Sequence, residues 1–275
     1  MKRLYGLLRI PKSGSTTLVE MVRTALPAAQ VYPLPHDQLS KWQTSRLQKL
    51  RYLRTRHKTL FYRYGAFSLS KALNHICLHA RDGDILAGGH VGFETFRKVD
   101  ADVRIITILR EPLAVFLSQY NYARMNYENK RGLARLDSSF LERMAAKYSV
   151  EGFADALLER QDVMGDHAAP LLAIKNASDI EGRLAQDLFH FGLLEDIGGF
   201  AAELSVKLGC KVPLRSANVT GRKAARDLSS ATRAKLEQLR PLDFEIYDVA
   251  VRLLKDRARE DRALPAHRPR MLRCT

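Results

Sequence analysis

Cysteine is scarce in this sequence, and the few cysteines form no recognisable pattern. The chain of 275 residues contains three, Cys77, Cys210 and Cys274, with no Cys-x-x-Cys pair. An odd, unpaired set excludes a disulfide framework and indicates a reducing compartment. Apolar runs long enough to span a membrane are missing as well, and the first apolar run begins within a few residues of Met1. We therefore expect a soluble protein located in the cytoplasm.

Acidic residues are also in short supply. The 30 Asp and Glu face 45 Lys and Arg, which gives a formal net charge of +15 and favours an anionic partner. The segment 41–63 concentrates this excess, with eight Lys or Arg, no acid and interleaved aromatics. It fits an amphipathic helix with a solvated basic face, a contact surface for an acidic glycan, or a nucleic-acid contact.

The segment from Ile10 to Leu18 has the pattern of an anion-binding loop. The apolar run Leu4 to Ile10 predicts a strand, and Leu18, Met21 and Val22 recur at helical spacing after the loop. A tight turn between a strand and a helix presents backbone N–H groups and the positive end of the helix dipole to an anion. The residues predicted to bind the anion are Lys12, Ser13, Gly14, Ser15, Thr16 and Thr17.

This loop is not a regular Walker A sequence. Gly6 and Lys12 have the required spacing, but Pro11 replaces the second glycine and Gly6 falls within the predicted strand. An ordinary turn in which Ser15 or Thr16 caps the helix remains an alternative.

A second strand ends in an arginine where a phosphoryl-transfer enzyme would need a carboxylate for magnesium. Val103 to Leu109 is a β-branched apolar run typical of a buried parallel strand, and Pro112 suits the first turn of a helix that continues toward Met125. Arg110 between them would bind a phosphate directly, without a metal. The alternative is an ion pair between Arg110 and Glu111.

These two motifs together resemble those of sulfotransferases that use 3′-phosphoadenosine 5′-phosphosulfate (PAPS). The run from Pro11 to Thr17 is similar to their 5′-phosphosulfate loop, and the run from Leu109 to Tyr122 is similar to their 3′-phosphate motif. The resemblance implies that Arg110 and Ser118 hold the 3′-phosphate. It is nearest to the carbohydrate branch that includes uronosyl 2-O-sulfotransferases, and we expect a bacterial member.

The resemblance also points to His90 as the catalytic base. In the carbohydrate branch a Gly-His segment about twenty residues before the 3′-phosphate arginine carries that histidine, and His90 precedes Arg110 by this spacing. An imidazole can remove the acceptor proton near neutral pH. The relatives often have a second histidine two positions earlier, where this chain has Gly88. A structural role for His90 in a loop is the alternative, and we expect the remaining histidines to be surface or packing residues.

The implied fold is a single-domain α/β parallel sheet flanked by helices, the P-loop NTPase-like sulfotransferase fold. We expect the domain to occupy residues 1–255, followed by a basic tail at 256–275. The implied reaction is in-line sulfuryl transfer from PAPS to a hydroxyl, with adenosine 3′,5′-bisphosphate (PAP) as product, no metal requirement, and an acidic or neutral glycan as acceptor. Lys12 would stabilise the leaving group, and Arg222 and Lys223 in a late basic loop would close over the 3′-phosphate.

Two other functions remain open at this stage. A P-loop kinase-like phosphotransferase would need a magnesium carboxylate after a strand, whereas the second predicted strand ends in Arg110. A non-catalytic polyanion or nucleic-acid binder would rest on the basic segment, although we expect no nucleic-acid partner.

Overall fold

A five-stranded parallel sheet forms the centre of the protein. The computed structural model describes residues 1–34, 69–136, 138–160, 165–214 and 228–263. The strands are β1 (Arg3–Leu8), β2 (Val31–Tyr32), β3 (Ile85–Ala87), β4 (Asp102–Leu109) and β5 (His190–Leu193), in the order β2-β3-β1-β4-β5. This single parallel sheet flanked by helices confirms the predicted fold class.

Helices cover both faces of the sheet. They are α1 (Ser15–Ala25), α2 (Leu69–His79), α3 (Phe93–Arg97), α4 (Pro112–Glu128), α5 (Phe140–Lys147), α6 (Val150–Leu158), α7 (Ala168–Leu171), α8 (Ile197–Leu208), α9 (Ser230–Leu239) and α10 (Pro241–Ala263). A further short helical segment, 180–187, precedes β5. In the part of the chain described, no helix is long and apolar enough to cross a membrane.

Successive residues of β1 enter different cores because side chains of a strand alternate between the two faces of a sheet. Leu4 and Leu8 join one apolar cluster, whereas Tyr5 and Leu7 join the cluster on the opposite face. All four side chains are buried. This explains why the strand reads as a continuous apolar run rather than as an alternating pattern.

The observed helix ends follow simple capping rules. Pro112 occupies the first turn of α4, where its missing N–H costs nothing. Gly209 ends α8 with φ of 69°, a left-handed conformation that glycine adopts without a steric penalty.

A third apolar cluster lies under α4. Phe116 and Tyr120 of α4 pack on Phe153 of α6, with ring centroids 5.6 and 5.3 Å apart. The segment 126–147 contains the end of α4 and then α5, which begins with a capping box between Ser139 and Glu142. These helices hold α4 in place, and α4 begins directly after the strand-end Arg110.

Helix α10 runs through position 256, where the sequence analysis places the start of a tail. It ends at Ala263, and the guanidinium of Arg257 lies 4.6 Å from the ring centroid of Phe191. Residues 264–275, the basic segment 41–63 and the predicted donor-binding Arg222 and Lys223 lie outside the described residues.

Candidate active site

Three segments singled out in the sequence meet at one edge of the sheet. The predicted phosphate loop follows β1, Gly88 to His90 follow β3, and Arg110 follows β4. These three strands are neighbours, in the order β3-β1-β4, and all run in the same direction. The carboxyl ends of parallel strands are where ligands bind in open α/β sheets. The topology therefore brings residues 80 to 100 positions apart into one crevice.

The loop after β1 forms the N-terminus of α1 without a side-chain cap. Gly14 is the N-cap residue in a left-handed conformation, with φ of 74°, and no side-chain hydrogen bond caps the helix. The alternative of a turn capped by Ser15 or Thr16 does not match this geometry. The first turn of a helix carries N–H groups without intrahelical partners, and its dipole favours an anion. The loop can therefore receive a phosphate or sulfate group.

The hydroxyl residues of the loop differ in exposure. Ser13 and Thr17 are buried, at 2% and 3% exposure, whereas Ser15 is half-buried and Thr16 is exposed. A Cβ added to Gly14 would lie 2.6 Å from Cδ1 of Leu194. The left-handed backbone conformation therefore favours glycine at position 14, and the side chain of Leu194 would have to shift to admit a Cβ.

Arg110 connects the two predicted phosphate motifs directly. Its Nη1 donates a hydrogen bond to the carbonyl oxygen of Lys12 at 3.0 Å. Burial lowers the pKa of the guanidinium, while the negative charges of Glu195 and Glu111 oppose that shift. An arginine remains charged in this setting. It therefore places a fixed positive charge beside the loop.

Helix α4 passes close to the same loop. The ammonium Nζ of Lys12 lies 3.2 Å from the centroid of the Tyr122 ring. Ser118, the predicted 3′-phosphate ligand, is half-buried one turn before Tyr122 on α4. Residues i and i+4 share one face of a helix, so Ser118 belongs to the face that approaches the loop.

His90 is oriented by a backbone hydrogen bond. Its Nδ1 lies 2.7 Å from the carbonyl oxygen of Arg9, and a carbonyl can only accept, so Nδ1 carries the proton. Nε2 of the neutral ring is then the basic nitrogen. Burial lowers the pKa of His90; the bond to Arg9 opposes this, and the charges of Arg9 and Lys12 add to the lowering. The ring is therefore held neutral around neutral pH.

Close packing explains the glycine that precedes His90 by two positions. A Cβ at position 88 would collide with the backbone carbonyl oxygen of Leu34. The carbonyl oxygen of Gly88 also accepts a hydrogen bond from Nη1 of Arg9 at 2.7 Å. Position 88 therefore has no room for the histidine that relatives of the carbohydrate branch often carry.

A small cavity beside the loop is lined partly by residues that the sequence analysis did not single out. Its wall includes Ser13, Arg110, His167, Asp243 and Tyr247. His167 was expected to be a surface or packing residue. Burial lowers its pKa strongly, and the positive charge of Arg240 adds to the effect. No sequence pattern marks this histidine, since its neighbours in the cavity come from distant segments.

Asp243 anchors the wall of this cavity. It is 7% exposed, and its carboxylate accepts hydrogen bonds from the backbone N–H groups of His167, Ala168 and Ala169 at 2.7 to 3.1 Å. Burial nevertheless raises its pKa to about 6. Nearby, burial and the carboxylates of Glu195 and Glu111 raise the pKa of Tyr247. Among the described residues, no group of His, Cys, Asp and Glu could hold a metal ion.

Comparison with known proteins assigns the family. A family model described as "Sulfotransferase domain" matches residues 7–174, which is more than half of the chain. The chain therefore belongs to the sulfotransferase domain family. It is an enzyme, a PAPS-dependent sulfotransferase, as the sequence motifs predicted.

No curated protein sequence matches the chain. Among solved structures it is similar to mouse sulfotransferase SULT7A1 complexed with PAP, at 15% sequence identity. The match covers 94% of this chain and 88% of the mouse chain, with a TM-score of 0.47.

Proposed function

We propose that the protein transfers the sulfuryl group of PAPS to a hydroxyl of a carbohydrate, with His90 as the general base. The acceptor oxygen attacks sulfur in line, and the bond from sulfur to the bridging oxygen of the donor breaks. The acceptor proton passes to Nε2 of His90. The electron pair of the broken bond stays on the bridging oxygen, so PAP leaves with a new negative charge.

The observation that carries this proposal is the orientation of His90. The 2.7 Å bond from Nδ1 to the Arg9 carbonyl leaves Nε2 as the proton acceptor, and the lowered pKa keeps the ring unprotonated. A histidine base must be unprotonated before the reaction, and the hydrogen bond of one ring nitrogen sets which nitrogen accepts the proton. Both conditions support the role of base rather than a purely structural role.

Lys12 and the loop would hold the phosphosulfate end of the donor. The first turn of α1 supplies backbone N–H groups and the dipole, and Ser13, Gly14, Ser15, Thr16 and Thr17 are the proposed contacts. Lys12 would neutralise the charge that develops on the bridging oxygen. Charges arranged in advance are usually the largest catalytic contribution, and losing one group costs on the order of 10²–10³ in rate.

Arg110 and Ser118 would bind the 3′-phosphate of the donor. The bond from Arg110 to the Lys12 carbonyl supports this assignment, because the same guanidinium touches the backbone of the phosphosulfate loop. Arg222 and Lys223 would complete the phosphate site from the late basic loop. Their role rests on the sequence resemblance alone.

A glycan acceptor is supported by the resemblance to the carbohydrate branch and by the positive charge of the chain. The net charge of +15 suits an acidic glycan, and a neutral glycan would use the same base. We also propose a cytoplasmic location in a bacterium. In the described part of the chain, Cys77 and Cys210 are not joined to each other by a disulfide, which supports a reducing compartment.

An acceptor panel with radiolabelled PAPS tests the proposal. The panel contains acidic polysaccharides, neutral polysaccharides, small phenols, lipids and peptides, each assayed with wild type and with His90→Asn. We expect label on a polysaccharide, and its loss with the variant. Transfer to phenols, lipids or peptides without transfer to any polysaccharide would exclude the glycan acceptor.

A further inference from the structure

The contact between Lys12 and Tyr122 joins the phosphate loop to α4. The Nζ atom of Lys12 lies 3.2 Å from the ring centroid, which is within the range of a cation–π interaction. Tyr122 is 39% exposed, so the ring forms part of the surface beside the loop. The tyrosine is neither one of the donor-binding positions proposed above nor part of the base.

The backbone of Lys12 is fixed independently of this contact. Its φ of 63° is a left-handed conformation that residues other than glycine rarely adopt. The hydrogen bond from Arg110 to its carbonyl oxygen holds that conformation. With the backbone fixed, the four side-chain torsions of Lys12 remain to be restricted. The ring of Tyr122 restricts them by contacting the terminal ammonium group.

We propose that Tyr122 is a positioning residue for Lys12, an inference that rests on the proposed role of Lys12 in transfer. The ring holds the ammonium beside the phosphosulfate loop before the donor arrives. A free lysine side chain would have to lose much of its rotational freedom during the reaction, and an ordered one has already lost it. The ring can keep its contact with the ammonium while donor oxygens accept hydrogen bonds from the ammonium N–H groups, so the restriction lasts through the transfer step.

The strength of the contact sets the expected effect. Loss of a cation–π interaction at a partly exposed site corresponds to a change of a few-fold to about tenfold in a rate or equilibrium constant. Tyr122→Leu removes the aromatic face, whereas Tyr122→Phe keeps it. We expect kcat to fall roughly five- to tenfold in Tyr122→Leu and to stay within about twofold of wild type in Tyr122→Phe, with the Kd for PAP unchanged in both.

A double-mutant cycle shows whether Tyr122 acts through Lys12. In a Lys12→Met background, which has no ammonium to position, Tyr122→Leu should lower kcat no further. An equal loss in both backgrounds would overturn the inference, because the tyrosine would then act independently of the lysine. A Tyr122→Phe variant as slow as Tyr122→Leu would overturn it too.

A spectroscopic test does not depend on activity. In protein with labelled lysine, the ε-CH₂ resonance of Lys12, assigned by its loss in Lys12→Met, should be shifted upfield by the ring current. The shift should persist in Tyr122→Phe and vanish in Tyr122→Leu. An unshifted resonance in an active enzyme would refute the positioning role alone. A shifted resonance in a protein that transfers no sulfuryl group would refute the proposed function alone.

Discussion

His90→Asn tests the proposed base with minimal disturbance of the loop around it. The amide N–H of asparagine can still donate to the carbonyl oxygen of Arg9, which Nδ1 of His90 contacts at 2.7 Å. The variant lacks a counterpart of Nε2 that could accept a proton. The substitution therefore removes the base while preserving the bond that orients it.

The expected loss follows from the role of a general base. Such a group contributes typically 10²–10⁴ in rate, which is about 3–5 kcal/mol of activation free energy. We expect kcat to fall within that range, with the Kd for PAP unchanged because the donor loop is not altered. His79→Asn, an exposed histidine at the end of α2, is the matched control and should retain the wild-type rate.

The pH profile supplies a second readout. Burial lowers the pKa of His90, so the neutral, basic ring persists below the usual histidine pKa. In wild type, activity should persist below the usual histidine pKa of about 6.5 and be lost as the pH decreases through the lowered pKa. This acid limb in kcat/KM should be absent in His90→Asn.

The assay is transfer from radiolabelled PAPS between pH 5 and 9, with PAP binding measured by calorimetry. A His90→Asn variant within about threefold of the wild-type rate, with the same acid limb, would refute the assignment of His90 as base. A loss of rate that is matched by an equal loss of PAP affinity would refute it as well, since the histidine would then serve donor binding.

Three further outcomes are expected. Arg110→Lys should weaken PAP binding roughly tenfold to a hundredfold, because a hydrogen bond to a charged group contributes about 1.5–3 kcal/mol. The control Arg104→Lys, on the strand β4 that precedes Arg110, should leave PAP binding unchanged. Equal PAP affinities of wild type and Arg110→Lys by calorimetry would contradict this. Gly14→Ala should abolish tight PAP binding, because the added Cβ strains the backbone and meets the side chain of Leu194. The control Gly132→Ala has φ of 53° and no atom within 4 Å of the added Cβ, so it should only lower stability. Burial lowers the pKa of His190 to about 4, so below about pH 6.5 protonation of this histidine favours the unfolded chain. Relative to His190→Phe, wild type should lose about 3 kcal/mol of unfolding free energy between pH 7 and 4. Urea denaturation at the two pH values measures the difference.

The local elements of the site were predictable from the sequence because their determinants are local. An apolar run, a turn containing Gly14 and a helical repeat define β1, the loop and α1 within about twenty-five residues. Pro112 and Gly209 mark a helix start and a helix end through their own backbone preferences. The family assignment followed from these local motifs, and the family model match confirms it.

The partners of these elements were not predictable, because they depend on contacts across long stretches of chain. The sequence contains nothing that relates Gly88 to the carbonyl of Leu34, or His167 to Asp243. Only the packing of α10 against the segment around α7 brings His167 to the cavity beside the loop.

The sequence alone predicted an anion-binding loop, a strand-end arginine and a histidine with the spacing of a sulfotransferase. The tertiary structure decided that the three meet, through the neighbouring positions of β3, β1 and β4. It also decided which nitrogen of His90 carries the proton and where the ammonium of Lys12 lies. These features depend on the directions of side chains in three dimensions, which strand order and packing determine and residue spacing does not.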